Sequence, residues 1–180
     1  MLPLKEATGM KHKQAEKMPF NIRMFEGTLS KIEYLLYLHQ QLRIFQIIES
    51  KGVLYTYLSR TDRIQDDIEE LKSQGVVSNS LLSSTKIYVD YLSSLSFEEI
   101  LPHIYLNYMA IMFGGQLMKK KVPSTGRMYD FDNIQECLTS IRNVQKNEWA
   151  EEVNKGFDFI IMIFSELETE SNKSKINTSN

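Results

Sequence analysis

One histidine near the start of the chain, His12, has neighbours that suit a metal ligand. Helical spacing places Thr8, Ala15 and Glu16 on the same face as His12. Thr8 and Ala15 are small enough to let a flat ligand approach, and the Glu16 carboxylate can accept a hydrogen bond from the ring nitrogen that does not bind metal. Lys5 lies roughly 10 Å back along the helix, where it can bind an acidic edge of that ligand. The pattern predicts an axial metal site at His12.

Each of the three histidines also has a simpler interpretation. His12 lies in a lysine-rich helix, where a lone histidine is usually a solvated surface residue. His39 lies in the middle of a long helical segment, and His103 directly follows Pro102. His39 and His103 therefore remain alternative ligands.

A pair of glycines interrupts an apolar helical segment that runs from His103 to Lys121. Each glycine inside a helix costs roughly 1 kcal/mol relative to alanine. Gly114 and Gly115 are therefore explained if the backbone bends there, or if a flat ligand lies closer to the helix than any Cβ would allow. We expect a ligand at this point.

Apolar residues recur at three- and four-residue spacing in nearly every segment, which predicts an all-α protein. Ser30 and Glu33 have the spacing of a capping box at the start of a long helix. Residues 1–169 are predicted to form one domain, and the polar stretch 170–180 is predicted to be disordered. The predicted helices cover residues 3–17, a short piece ending at 27, and 30–49, 60–73, 83–94, 103–121, 132–145 and 147–168.

Composition and charge exclude several classes of function. A net charge of −2, with both signs mixed along the chain, gives no field that would bind nucleic acid. The single cysteine, Cys137, excludes a disulfide framework and fits a reducing compartment. The sequence shows neither a signal-peptide core nor an apolar run long enough to span a membrane, so we expect a cytoplasmic protein.

Several of these segments, taken in order, resemble heme oxygenases, in the soluble form of bacteria and phages. The stretch Leu4–Glu16 resembles the proximal helix of that family, and His103–Lys120 resembles its distal helix. Further matching residues are Leu58, Arg60, Ile64, Asp67, Ile68, Glu151, Glu152, Phe157 and Phe164. The resemblance covers nearly the whole predicted domain.

The resemblance implies a single-domain helical fold that sandwiches heme between the first helix and a distal helix kinked at the glycine pair. Heme would be both cofactor and substrate, and His12 would bind its iron. O2 and electrons from ferredoxin or another reductase would convert heme to biliverdin, CO and ferrous iron. Gly114 and Gly115 would have a catalytic role, because their bare backbone steers oxygen toward the porphyrin edge. The residues expected at the heme are Lys5, Thr8, Ala15, Glu16, Tyr105, Ile111, Arg142 and Phe157.

The predicted distal side departs from the family pattern. Ile111 stands where well-studied members have an aspartate that orders water, and Phe45, Asn107 and Ile160 stand where tyrosine, arginine and asparagine are common. This more apolar side leaves open a heme carrier or sensor that does not degrade heme. We favour the enzyme because the proximal helix and the glycine pair are both retained. A di-iron carboxylate protein would need Glu-x-x-His pairs, and the sequence contains none.

Two charged features have both a functional and a simpler interpretation. The run Lys119–Lys121 can belong to a positive surface that binds an acidic electron donor, or it can be a solvated helix end. Asp67 is expected to pair with Arg60 between helices. The oligomeric state and the meso carbon that is attacked are not predicted by the sequence.

Overall fold

Helices are the only regular secondary structure in the part of the chain that the structure describes. The structure is a computed structural model that describes residues 1–78 and 80–177, the last four as backbone. The α-helices are α1 (Leu4–Ala7), α2 (Gly9–Glu16), α3 (Pro19–Glu26), α4 (Lys31–Lys51), α5 (Thr61–Ser73), α6 (Ser83–Ser94), α7 (Phe97–Met118), α8 (Ile134–Val144) and α9 (Ala150–Asn177). Short 3-10 turns lie at Thr56–Leu58, Arg127–Tyr129 and Asn147–Trp149. The prediction of an all-α protein is confirmed.

Helix α4 begins as its sequence pattern predicts. The Ser30 hydroxyl accepts a hydrogen bond from the Glu33 backbone N–H at 3.3 Å, and the Glu33 carboxylate accepts one from the Ser30 N–H at 2.8 Å. The predicted capping box is therefore present, and the helix ends before Gly52.

Helix α7 begins earlier than the sequence analysis predicts. A second capping box, formed by Ser96 and Glu99, starts the helix at Phe97. Pro102 lies inside the helix rather than before it, so the predicted start at His103 is wrong.

The predicted first helix is divided into α1 and α2 at Thr8. The Thr8 hydroxyl donates to the Leu4 carbonyl at 2.9 Å, and such side-chain bonds compete with a regular helix. The Leu4 backbone N–H donates to Asn147 Oδ1 at 3.0 Å, which caps the start of α1 from a distant segment. The prediction of one helix over residues 3–17 is therefore wrong at one residue.

Helix α9 is longer than predicted and packs against α2, α3, α4, α6 and α7. The sequence pattern predicts that this helix ends near Glu168 and that residues 170–180 are disordered. The helix instead continues to Asn177, because Leu167 and Ser171 are still buried. Residues 178–180 lie outside the described part of the chain.

Two apolar clusters form the interior. The main core draws residues from α3 to α9, and a second cluster joins α1, α2, α7 and α9. Among the described residues, no helix is long and apolar enough to cross a membrane.

Candidate functional site

The second cluster is the place where the predicted proximal and distal helices meet. It consists of Leu4, Ala15, Leu106, Val153 and Phe157, all of which are buried. The ring of His12 lies edge-on to Phe157, with 5.8 Å between the ring centroids and 74° between the planes. His12 therefore stands at the rim of an apolar cluster to which α7 contributes Leu106.

The predicted face of His12 is divided between interior and surface. Thr8 and Ala15 are buried, whereas the side chains of His12 and Glu16 are 57% and 52% exposed. His12 Nε2 lies 3.7 Å from Glu16 Oε1, which is too far for a hydrogen bond. The imidazole is therefore open to a ligand, with a carboxylate one turn away as the sequence analysis expects.

Contacts with α9 hold α1 and α2 in place just before His12. Lys11 forms an ion pair with Asp158. The side-chain amide of Asn154 donates to the Ala7 carbonyl at 3.3 Å. These contacts fix the helix that carries His12 without using the imidazole itself.

The other two histidines are placed differently. His39 is half-buried on α4, where burial and then the charge of Lys72 lower its pKa. His103 is fully buried, and both of its ring nitrogens are hydrogen-bonded. His12 is the histidine whose ring faces the solvent.

Helix α7 has an apolar face that nothing in the described residues covers. Phe113 is 54% and Leu117 is 69% exposed. Ala110 is exposed beside them, and Gly114 is partly exposed. We call these four residues the exposed stripe. Large apolar side chains exposed together mark a binding surface more often than a solvent-facing helix.

The exposed stripe continues the face of α7 that enters the second cluster. Leu106, Ala110, Phe113 and Leu117 follow each other at four-, three- and four-residue intervals, which keeps them on one side of a helix. The stripe therefore extends along α7 from the cluster that His12 borders. A flat apolar ligand on His12 could lie along this side of α7.

The opposite side of α7 is packed into the main core. Ile111 is only 4% exposed and lies in the main core. Four further α7 residues are also buried in the main core: Ile104, Tyr108, Met112 and Met118. A contact between Ile111 and a ligand is thus still a prediction.

The two glycines of the pair have different surroundings, and α7 continues through both. A Cβ on Gly115 would lie 2.3 Å from Tyr129 Cδ1, which no side chain can tolerate. A Cβ on Gly114 would lie 3.5 Å from Phe25 Cζ and 3.8 Å from Met118 Cε, which are ordinary contacts. Packing against Tyr129 therefore accounts for Gly115 without a ligand, and the catalytic role expected for Gly114 and Gly115 stays a prediction.

Three further residues were predicted to contact the ligand: Tyr105, Lys5 and Arg142. Tyr105 is half-buried at the edge of the second cluster, and burial raises the pKa of its hydroxyl. Lys5 and Arg142 are exposed, and neither forms an ion pair within the described residues. Their contacts with a ligand stay predictions.

A buried polar network beside the second cluster was missed by the sequence analysis. Tyr88 Oη lies 2.9 Å from His103 Nδ1, and His103 Nε2 lies 2.9 Å from Glu152 Oε1. Asn107 Nδ2 donates to Tyr88 Oη at 3.0 Å and to the His103 carbonyl at 2.8 Å. We call Tyr88, His103, Asn107 and Glu152 the His103 network. The four-residue spacing of His103 and Asn107 on α7 was the available sequence signal.

The electrostatics of the His103 network keep its histidine neutral. Burial lowers the pKa of His103, although the hydrogen bond and charge of Glu152 act in the opposite direction. Burial alone would raise the pKa of Glu152, but hydrogen bonds from Tyr91 and His103 outweigh it and lower the pKa. Burial also raises the pKa of Tyr88. The network is therefore an uncharged chain that ends on one carboxylate.

The predicted pair between Asp67 and Arg60 does not form. Asp67 Oδ1 accepts from the backbone N–H groups of Gly126 and Arg127 at 3.1 and 3.0 Å, and Oδ2 accepts from that of Met128 at 2.8 Å. The Arg60 guanidinium donates to backbone carbonyls and stacks on Phe131 at 3.9 Å from the ring centroid. Together they hold the turn that places Tyr129 beside Gly115.

The lysine run after the glycine pair is largely used within the fold. Lys119 forms an ion pair with Asp130, and Lys121 Nζ donates to the Phe25 carbonyl at 2.7 Å. Lys120 is exposed and has no partner within the described residues. Most of this run therefore acts within the protein, and little of it is left for a docking surface.

Comparison with known proteins identifies the class. The family model for heme oxygenase matches residues 2–165, which is nearly the whole domain. The chain therefore belongs to the heme oxygenase family.

Solved structures of heme oxygenases share the fold. Heme oxygenase-2 of Synechocystis sp., solved with heme and NO, aligns with a TM-score of 0.80 and 19% identity over 95% of this chain and 86% of that one. The heme complex of heme oxygenase-1 from the same cyanobacterium aligns with a TM-score of 0.76 and 18% identity, over 98% and 97% of the two chains.

Sequence relatives are distant but cover most of the chain. The heme oxygenase of Pyropia yezoensis is 23% identical over 94% of this chain and 86% of its own length. Heme oxygenase 2 of Rattus norvegicus is 27% identical over 92% of this chain, which spans 64% of that longer protein.

Proposed function

We propose that this protein binds heme and degrades it, with His12 as the axial ligand of the iron. The observation that carries this proposal is the exposed stripe of α7, which extends the face of Leu106 away from the second cluster. It offers an apolar surface on the helix face that enters the cluster bordered by the accessible His12 imidazole. Family membership supports the same conclusion.

The residues around His12 fit a heme. Phe157 lies edge-on to the His12 imidazole and forms one side of its surroundings. Glu16 lies one turn away and can accept a hydrogen bond from the free ring nitrogen. Thr8 and Ala15 are small residues on the same face of the helix. Exposed cations and a hydroxyl would bind the propionates. The residues proposed for this are Lys5, Tyr105 and Arg142.

The α7 side would exclude water and orient the macrocycle. Phe113 and Leu117 would bury their exposed surface against the ring, and Gly114 would let the backbone approach it. When bound, heme supplies both the iron that activates O2 and the ring that is cleaved to biliverdin, CO and ferrous iron. Ile111, another predicted heme contact, lies on the core-facing side of α7 and has no carboxylate to hold water.

The electron donor and location belong to this proposal. Ferredoxin or another reductase would supply electrons, and Lys120 is the member of the lysine run that is free to face it. Cys137 is buried, and burial raises the pKa of its thiol, so it is unreactive. The cytoplasmic location that we propose rests on the single cysteine of the sequence.

Turnover is tested with the hemin complex in air, with catalase and with ascorbate or reduced ferredoxin. We expect the Soret band to disappear and biliverdin to be identified by chromatography. Catalase is needed because free peroxide can bleach heme without enzyme-guided chemistry. Intact heme under these conditions, or products formed only without catalase, would contradict degradation and favour the second candidate, a heme carrier or sensor. The buried aliphatic Ile111 is the observation that favours that candidate.

The ligand assignment is tested by substitution. His12→Ala should abolish the histidine-ligated spectrum of the hemin complex, and added imidazole should restore it. His39→Ala is the matched control, because His39 lies on α4 away from the second cluster. Loss of the spectrum in His39→Ala, with His12→Ala unchanged, would show that the assignment is wrong.

A further inference from the structure

Gly156 lies inside α9 at a point where this helix closely approaches α7. A Cβ at residue 156 would lie 2.4 Å from Leu106 Cδ2, 3.2 Å from His103 Nδ1 and 3.4 Å from His103 Cε1. Glycine inside a helix is less favourable than alanine, yet α9 continues through this buried one. The close approach of α7 therefore accounts for the missing side chain.

Of the two α7 neighbours of Gly156, Leu106 is the one that can move. His103 is fully buried, and its Nδ1 and Nε2 lie 2.9 Å from Tyr88 Oη and 2.9 Å from Glu152 Oε1. The Leu106 atom nearest to Gly156 is instead the end of a flexible side chain. A methyl group on residue 156 would therefore displace the tip of Leu106 rather than the His103 ring.

Leu106 belongs to the apolar cluster that His12 borders. It shares the second cluster with Ala15 and Phe157, and the His12 ring lies edge-on to the Phe157 ring. Because Leu106 is only 3% exposed, a tip displaced from α9 would move toward the other members of that cluster. The bare α carbon of Gly156 thus keeps Leu106 out of the space beside His12.

On either side of Gly156, α9 also binds the helices that precede and carry the proposed axial ligand. The side-chain amide of Asn154 donates to the Ala7 carbonyl at 3.3 Å. Asp158 forms an ion pair with Lys11. One short part of α9 therefore contacts both α1–α2 and α7, so its spacing from α7 affects both sides of the proposed heme site.

We propose that Gly156 is a positioning residue, which acts through Leu106 and sets the gap into which the heme fits beside His12. This inference rests on the proposed function. In the apoprotein, a methyl group at residue 156 would be accommodated by movement of Leu106 into that gap. A bound heme would push Leu106 back against the methyl group, so the strain would return on binding and weaken it.

The first test needs no heme. In NMR spectra of the apoprotein, a Leu106 methyl group should show a nuclear Overhauser effect to the α protons of Gly156. Gly156→Ala should shift the resonances of the Leu106 methyl groups and the Phe157 ring. Ile68→Val is the control, because Ile68 is buried in the main core on α5. Absence of the Overhauser effect, or equal shifts in the two variants, would overturn the assigned contact.

The second test is a double-mutant cycle in hemin affinity. Gly156→Ala should weaken binding by roughly tenfold, the low end of what overpacking costs. In a Leu106→Ala background the same substitution should change the affinity by less than about twofold, because the tip that it displaces is gone. Ile68→Val should bind hemin as the wild type does. Melting temperatures of the apoproteins show whether affinity simply follows stability.

The outcomes separate this inference from the proposed function. Failure of the wild-type protein to form a histidine-ligated hemin complex would contradict the proposed function. A normal wild-type complex, with an affinity that Gly156→Ala lowers equally in both backgrounds or in neither, would overturn the role of Gly156 alone. If Gly156→Ala fails to fold, the double variant is compared with Leu106→Ala. Weaker hemin binding by the double variant would then contradict action through Leu106, and equal binding would support it.

Discussion

The ring of Tyr129 occupies the space that a side chain on Gly115 would need. A Cβ at residue 115 would lie 2.3 Å from Tyr129 Cδ1 and 2.9 Å from Cε1. Tyr129 cannot easily move, because it is fully buried and its carbonyl accepts from Gln116 Nε2 at 2.8 Å. Close packing between α7 and the 127–129 turn therefore requires glycine here, whether or not a ligand is bound.

Gly115→Ala should destabilise the apoprotein by roughly 1–3 kcal/mol, as overpacking of a core does. Thermal or urea unfolding without heme measures this change. Gly9→Ala is the matched control, since nothing lies within 4 Å of a Cβ at that residue. Adding Tyr129→Leu to Gly115→Ala should recover part of the loss. Equal stability of Gly115→Ala and the wild type would contradict the packing role.

Gly114→Leu should weaken hemin binding while the apoprotein stays folded. Gly114 meets only ordinary contacts, with the Phe25 ring and the end of Met118. Gly114→Ala should therefore raise the melting temperature, because alanine forms helix better than glycine, and the larger leucine should interfere chiefly with a flat ligand. Titration with hemin, beside apoprotein melting curves, separates the two effects. Unchanged hemin affinity in a folded Gly114→Leu variant would leave this glycine without a ligand role.

Phe113→Ser and Leu117→Ser should each lower hemin affinity by roughly tenfold or more, since burial of a large apolar side chain contributes about 1.5–3 kcal/mol. Both side chains are mostly exposed, so the apoprotein should melt at the wild-type temperature. Ile87→Ser is the control, because Ile87 is also 51% exposed but lies on α6. Similar losses of affinity in all three variants would show that the stripe has no special role.

Acidification should destabilise the apoprotein through His103. Burial lowers its pKa in the fold, so the unfolded chain binds more protons near the ordinary pKa of about 6.5. The stability that neutral His103 contributes is therefore present above that pH and is lost as the pH falls below it. His103→Gln can still hydrogen-bond but cannot titrate. Urea unfolding at pH 7.5 and 5.5 should show a smaller loss in His103→Gln than in the wild type.

The features that could be predicted from the sequence are those set by residues close together in the chain. The start of α4 follows from Ser30 and Glu33, and the accessible His12 follows from helical spacing. The cap on the Leu4 N–H could not be predicted, because it comes from Asn147, far along the chain.

Contacts between distant segments at the candidate site could not be predicted either. Gly115 suggests a close approach, but only the fold shows that the neighbour is the Tyr129 ring. The His103 network joins α6, α7 and α9, and Glu152 follows His103 by 49 residues, so no local pattern indicates that the two side chains meet.

The helix that carries His12 is synthesised well before the residues that anchor it. Leu4 binds Asn147, Ala7 binds Asn154, and Lys11 binds Asp158, across sequence separations of 143, 147 and 147 residues. Such distant pairings close slowly. On the ribosome, α1 and α2 have no docking surface until α9 emerges. A nascent chain should therefore not capture heme before α9 has been synthesised.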